Sequence, residues 1–112
     1  ELQKLYREAA FAPPATDEVL EKYKKVRQID QVLTAMIGDG ALVRLDAQIY
    51  MDAQCVEKAR EVCREAIGKN GQMTLAEFRD LLGTSRKFAV TLLEYFDRQK
   101  FTKKIGDARV LA

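Results

Sequence analysis

Three side chains that can bind an anion follow one another at Ser85, Arg86 and Lys87. We predict that they lie at the start of a helix, where free backbone N–H groups and the helix macrodipole attract negative charge. Two cations at such a position are unfavourable for the isolated helix, because the dipole repels them. They become favourable if a phosphate binds to the N–H groups, the hydroxyl and both cations together. The cluster therefore predicts a phosphate-binding site, with a solvated helix end as the alternative.

A second basic cluster comprises Lys103, Lys104 and Arg109, on either side of Gly106-Asp107. Gly-Asp is a favoured two-residue hairpin turn, and in this register Lys104 stands directly opposite Arg109. Like charges in directly opposite positions destabilise a ribbon by a few tenths to about 1 kcal/mol. This repulsion indicates an anionic partner that relieves it; the alternative is an exposed and screened charge pair. We interpret Asp107 as a turn residue, and binding of a base edge by its carboxylate is the alternative.

The elements that position both clusters form a helix-turn-helix followed by a ribbon. Thr74 and Glu77 have the spacing of a capping box at the start of a short helix, which we expect to end at Gly83. Thr84 or Ser85 then caps a second helix after a connection of about three residues, as a helix-turn-helix requires. The second helix has an apolar stripe at helical spacing, made by Phe88, Leu92, Tyr95 and Phe96. This order predicts a winged helix, a fold that most often binds nucleic acid.

A similar order occurs about sixty residues earlier, which indicates an internal repeat. Before Gly38-Asp39-Gly40 lies an apolar helix pattern, and after it two short strand patterns end near Met51. We therefore predict a mainly α fold with small β-hairpins, built as two tandem winged-helix domains, residues 1–51 and 52–112. In the first domain we expect helices over 2–12 and 17–25, with Thr16 as the cap of the second of them. Asp52 is expected to cap the first helix of the second domain.

Charge is distributed unequally between the two predicted domains. Residues 1–52 contain 7 Lys and Arg against 9 Asp and Glu, whereas residues 53–112 contain 12 against 8. Such asymmetry indicates that only one half faces a polyanion. We therefore expect the second domain to bind the nucleic acid and the first to be a spacer or docking module.

Composition excludes several other functions. The chain has no histidine and no Cys-x-x-Cys pair, so we expect no zinc site, no cofactor and no catalysis. Cys55 and Cys63 would lie roughly 12 Å apart along one helix, too far for a disulfide, so we expect reduced thiols and a cytoplasmic location. No apolar run approaches the ~18 residues of a membrane helix, and the first residues do not show a signal-peptide pattern. The sequence does not begin with Met, as expected for a piece of a longer chain.

The run EFRDLLGTSRKFA, followed by LLEYFD and GDARVL, resembles the C-terminus of the SelB family of bacterial selenocysteine-specific elongation factors. The resemblance is strong over about a third of the chain. In that family a GTPase body carries selenocysteinyl-tRNA, and four winged helices follow. The last of them binds an mRNA hairpin, the selenocysteine insertion sequence (SECIS), that recodes a UGA stop codon. The resemblance implies the last two winged helices, without the GTPase, and therefore a non-enzymatic fragment that binds RNA.

Transferred residue by residue, the resemblance assigns hairpin binding to the positions that the charge argument selects. They are Ser85, Arg86, Lys87, Lys103, Lys104, Gly106, Asp107 and Arg109. The ribosome and the tRNA are then partners only of the full-length protein, and we expect a monomer that does not bind membranes. Two alternatives stay open at this point. A DNA-binding regulator would use the same fold but usually needs a dimer helix, and a protein-docking winged helix would need no basic ribbon.

Overall fold

The computed structural model describes residues 2–112 and divides into two compact units, Glu1–Val56 and Glu57–Ala112. The division falls inside the fourth helix. In chain order the elements are α1 (Leu2–Ala9), α2 (Thr16–Lys22), α3 (Ile29–Gly38), β1 (Leu42–Arg44), β2 (Tyr50–Asp52), α4 (Ala53–Asn70), β3 (Met73–Thr74), α5 (Leu75–Leu82), α6 (Arg86–Arg98), β4 (Thr102–Ile105) and β5 (Ala108–Leu111). None of the helices within residues 2–112 is long and apolar enough to cross a bilayer.

The first unit consists of three helices followed by an antiparallel ribbon. Strands β1 and β2 pair with Leu42 opposite Asp52, and an isolated bridge joins Ala15 to Ile49. The core cluster takes one residue from each helix and one from β1, namely Tyr6, Val19, Leu33 and Leu42. The predicted order of three helices followed by a two-stranded ribbon is therefore confirmed for this half of the chain.

Thr16 does not cap α2, contrary to the expectation from the sequence. It lies inside the helix, and its hydroxyl donates a hydrogen bond of 3.0 Å to the Gln48 carbonyl. Ala15 occupies the N-cap position, and its N–H is bound by the Glu18 carboxylate at 3.0 Å. A threonine that binds the distant β1–β2 loop gives the same sequence signal as a capping threonine, because both precede an acidic first turn. The first helix is also shorter than expected, since Ala10 adopts a left-handed φ of 51°.

The hydroxyl of Tyr6 is buried in the first unit, and within residues 2–112 no hydrogen-bond partner reaches it. Burial, with a smaller effect of Tyr50, raises the pKa of Tyr6 to about 12. We expect Tyr6→Phe to raise the free energy of unfolding by about 1 kcal/mol, since an unsatisfied buried hydroxyl is removed and the ring shape is kept. Thermal melting would show a rise of a few degrees. The control is Tyr50→Phe at a half-buried ring, and a lower melting temperature for Tyr6→Phe would contradict the prediction.

The second unit contains a three-stranded antiparallel sheet in the order β3-β5-β4, together with α5, α6 and most of α4. Strand β5 is central, so that Arg109 pairs with Met73 on one side and with Lys104 on the other. The buried apolar residues come from all three helices and from β3 and β5: Ala59, Cys63, Ile67, Met73, Phe78, Ala89, Leu92, Leu93, Phe96 and Ala108. Of the apolar stripe predicted for α6, Leu92 and Phe96 are fully buried, whereas Phe88 and Tyr95 are half-buried.

Local signals at the helix ends act as the sequence predicts. The Thr74 hydroxyl accepts the Glu77 N–H at 3.1 Å, and the Glu77 carboxylate accepts the Thr74 N–H at 2.8 Å. At the other end of α5, Gly83 has a φ of 67°, a conformation that other residues adopt at a cost. Asp52 caps α4, because its carboxylate accepts the N–H groups of Gln54 and Cys55. The connection between α5 and α6 is three residues long.

Candidate nucleic-acid interface

A cleft of about 430 Å³ brings together the start of α5, the start of α6 and the ribbon of the second unit. Its basic and acidic lining residues are Arg86, Lys104, Asp107 and Arg109. Thr74, Leu75 and Ala76 also line the cleft, at the end of α5 where the first N–H groups have no partner inside the helix. Residues far apart in the sequence thus form one surface suited to an anion.

Arg86 is the first residue of α6 and is exposed, as predicted. Ser85 occupies the N-cap position in an extended conformation, but its side chain makes no capping hydrogen bond. The ammonium group of Lys87 lies 5.5 Å from the centre of the Phe88 ring. Ser85 and Lys87 are not among the residues that line the cleft. Of the three predicted anion-binding residues at the start of α6, only Arg86 lines the cleft.

The predicted register of the ribbon is confirmed. Ile105 pairs with Ala108, and Lys104 pairs with Arg109. Gly106, with a φ of 59°, occupies the first central position of the turn, where glycine allows the left-handed conformation. Lys104 faces the cleft, whereas Lys103 points to the other side of the sheet, because successive residues of a strand alternate. Lys103 and Gly106 do not line the cleft.

The predicted repulsion between Lys104 and Arg109 is wrong, because the charge of Arg109 is compensated. The Arg109 side chain is 8% exposed. Its Nη2 donates to Asp97 Oδ2 at 2.8 Å, and its Nε lies 3.2 Å from each carboxylate oxygen. The Thr102 hydroxyl donates to the same carboxylate at 2.7 Å. Arg109 therefore joins the ribbon to α6, and the residue also lines the cleft.

Sequence reasoning missed Asp97 and Thr102. Asp97 is the acidic residue in the last turn of α6, next to Arg98, where it resembles an ordinary surface charge. Its position directly after the buried Phe96 was a weak sign that its carboxylate is partly buried. A half-buried aspartate beside a polar strand start is a candidate partner for a cation on that ribbon. Its partners, Thr102 and Arg109, are brought to it only by the tertiary fold, so the helical pattern of the sequence does not reveal them.

Other basic residues of the second unit serve packing. The guanidinium of Arg60 lies 5.0 Å from the centre of the Phe96 ring and 4.9 Å from that of Phe101, and it donates to Gln99 at 3.1 Å. The guanidinium carbon of Arg64 lies 5.3 Å from the centre of the Phe101 ring.

Cys63 is buried, and burial raises the pKa of its thiol to about 12. A thiol of this kind stays protonated at neutral pH and does not act as a nucleophile.

The helix-turn-helix and its ribbon make the second unit a winged helix with one basic cleft. A family model described as "Elongation factor SelB, winged helix" matches residues 65–111. Two curated relatives are selenocysteine-specific elongation factors. That of Desulfomicrobium baculatum is 29% identical over 109 residues, 96% of this chain and 17% of the relative. That of Escherichia coli (strain K12) is 35% identical over 80 residues, 71% of this chain and 12% of the relative.

The solved structures that resemble the chain include the following two. The mRNA-binding domain of elongation factor SelB from E. coli, in complex with SECIS RNA, has a TM-score of 0.67 and 30% identity. That match covers 72% of this chain and 67% of the solved one. A bacterial selenocysteine-specific elongation factor has a TM-score of 0.80 at 20% identity, over 99% of this chain and 17% of its own length, and shows the fold alone. The chain belongs to the SelB family, and it spans less than a fifth of the length of its curated relatives.

Proposed function

We propose that this chain is an RNA-binding module of a selenocysteine-specific elongation factor, and that it binds the SECIS hairpin of an mRNA. The observation that carries the proposal is the cleft at which Arg86, Lys104 and Arg109 meet. Support comes from the relative from E. coli, whose structure is that of an mRNA-binding domain in complex with SECIS RNA. The alternative of a DNA-binding regulator gains no support from the reported relatives, since each of them is an elongation factor.

The dimensions of A-form RNA determine how the cleft would act. Its major groove is too deep and narrow for a helix such as α6, so sequence is recognised at loops and bulges. We propose that Arg86 and Lys104 bind backbone phosphates on the two sides of such a bulge. Arg109, which Asp97 holds in place, would then form the floor of the cleft. Of the remaining predicted residues, Ser85, Lys87, Gly106 and Asp107 would contact the RNA around this centre, and Lys103 would contact it from the other face of the ribbon.

The division of labour between domains is also a proposal. We assign residues 1–51 to a first winged helix that acts as a spacer or docking module and residues 52–112 to the RNA-binding one. The charge difference of the two halves supports this assignment. GTP hydrolysis, selenocysteinyl-tRNA and the ribosome would belong to other parts of a full-length factor in the cytoplasm, and this segment would act as a monomer without catalysis.

The decisive experiment compares an RNA hairpin that carries a bulged base with three competitors: the same hairpin without the bulge, a DNA version and a DNA duplex. We expect the bulged RNA hairpin to bind at least about tenfold more tightly than each competitor, because sequence-specific RNA recognition depends on unstacked bases. Affinities would be measured at one salt concentration, because phosphate contacts make them depend on salt. Equal affinity for the DNA duplex would contradict the proposed function.

A further inference from the structure

A groove on the second unit, apart from the basic cleft, lies between α4 and α5. It consists of two adjoining hollows of about 290 and about 300 Å³, which share part of their lining. We call it the α4–α5 groove, and the residues that line it are Val62, Glu65, Ala66, Lys69, Asn70, Glu77, Asp80 and Leu81. None of these residues lines the basic cleft, so the groove is a separate surface.

The shape of the groove follows from the spacing of its residues on the two helices. The lining residues of α4 recur at intervals of three and one positions, which places them on one helix face over about two turns. The lining residues of α5 have the same spacing and also share a face. Ala66 lines both hollows, and its small side chain leaves space between the helices. A groove of this kind accepts a third helix whose side chains recur every three or four positions.

The groove exposes apolar side chains that the fold does not bury. Leu81 is 58% exposed, the largest exposed fraction of any large apolar side chain within residues 2–112. A single exposed leucine is ordinary on a protein surface. Leu81, however, lines the same hollow as the half-buried Val62 and Ala66, so that the three form one apolar strip. Burial of this strip by an apolar side chain of a partner would stabilise a complex.

The charge of the groove is opposite to that of the domain that contains it. The groove has the carboxylates of Glu65, Glu77 and Asp80 and the single ammonium of Lys69, whereas the second domain has an excess of basic residues. Asp80 forms an exposed ion pair of 3.0 Å with Arg79, and the Glu77 carboxylate accepts a hydrogen bond at the start of α5. Glu65 forms no ion pair within residues 2–112. Such a rim repels phosphates and attracts cationic side chains.

We propose that the α4–α5 groove binds a basic amphipathic helix of a partner protein. The apolar face of that helix covers Leu81, Val62 and Ala66, and its Lys and Arg side chains lie beside the carboxylates of the rim. The rim disfavours a nucleic acid as the occupant, because its carboxylates repel phosphates. The site goes beyond the proposed function and does not depend on it, since the groove and the basic cleft have no lining residue in common.

The test titrates the whole 112-residue chain with a synthetic helical peptide of about five turns. The peptide has leucine at every third or fourth position and lysine on both sides of this stripe. Two competitors have glutamate in place of lysine, or serine in place of leucine. We expect the first peptide to bind at least about tenfold more tightly than each competitor, because apolar burial and charge both contribute. In NMR spectra the amide signals of residues 62–70 and 77–81 should shift during the titration.

Two variants test the contributions of the apolar strip and of the rim separately. Leu81→Ser should weaken peptide binding about tenfold, because it removes the apolar anchor. Glu65→Gln should weaken it about threefold at low salt and very little at about 0.5 M salt, where surface charges are screened. The matched controls are Val32→Ser, at an apolar side chain that is 40% exposed, and Glu94→Gln, at an exposed glutamate of α6. Both controls should bind the peptide as the parent chain does.

The same variants separate this site from the proposed RNA cleft. Leu81→Ser and Glu65→Gln should melt close to the temperature of the parent chain, because both side chains are exposed. Their affinity for the RNA hairpin should also equal that of the parent chain, whether that affinity is high or low. Equal binding of the glutamate peptide, or equal affinities of Leu81→Ser and Val32→Ser, would overturn the proposal. Shifts of the same amide signals on concentration of the free chain would also overturn it and indicate a second copy as the occupant.

Discussion

Replacement of Arg109 by alanine is expected to unfold the second unit more readily, by about 2–4 kcal/mol, and to weaken hairpin binding as well. Two groups lose their partner at once. The Asp97 carboxylate, 27% exposed, loses hydrogen bonds from Nε and Nη2 and keeps only that from the Thr102 hydroxyl, and β5 loses its ion pair with α6. Removal of one partner of a largely buried ion pair leaves an uncompensated charge, which costs more than the pair itself contributes. We expect the melting temperature of the free chain to fall by roughly 10 °C.

Two further variants separate the structural role of Arg109 from a role in binding. Arg109→Lys keeps the charge but not the planar fork, and should recover only part of the stability. Lys104→Ala removes the cross-strand neighbour, an exposed cation of the same cleft, and should weaken RNA binding with no loss of stability. A melting temperature of Arg109→Ala equal to that of Lys104→Ala would show that the bond to Asp97 does not stabilise the fold.

The sequence predicts most of the second unit because its signals are local. The capping box of Thr74 and Glu77, the left-handed Gly83 and the Gly106-Asp107 turn each depend on neighbours within a few residues. Together they determine the helix ends and the register of the ribbon, and hence the pairing of Lys104 with Arg109. The apolar stripe of α6 then decides which face is buried.

What the sequence cannot provide is the partner of a side chain that reaches across the fold. The pairing of Arg109 with Lys104 suggested repulsion, but Asp97, twelve residues away in the sequence, compensates it. Thr16 gives a similar lesson, because its hydroxyl binds the Gln48 carbonyl and not the start of its own helix. Both polar groups are positioned by tertiary packing, so periodicity and capping rules assign them to the wrong partner.

Arg86 is the exposed cation on which the proposed RNA contact depends most. It is the first residue of α6 and lines the cleft, and within residues 2–112 it forms no ion pair. The helix dipole disfavours a cation there unless an anion is bound. We expect Arg86→Ala to weaken hairpin binding by about 1–3 kcal/mol, about 5- to 150-fold, if the guanidinium makes a bidentate contact to a base or phosphate.

The same experiment distinguishes a bidentate contact of Arg86 from a simple point charge. Arg86→Lys should recover only part of the lost affinity, because an ammonium group cannot form the planar fork. Hairpin affinity would be measured at two salt concentrations for the parent chain, both variants and Arg44→Ala, a control that removes an exposed arginine from the first unit. Because Arg86 is exposed, all variants should melt at nearly the temperature of the parent chain. If Arg86→Lys binds the hairpin as tightly as the parent chain, Arg86 acts only as a point charge. If Arg86→Ala binds the hairpin as tightly as the Arg44→Ala control, Arg86 is not part of the interface.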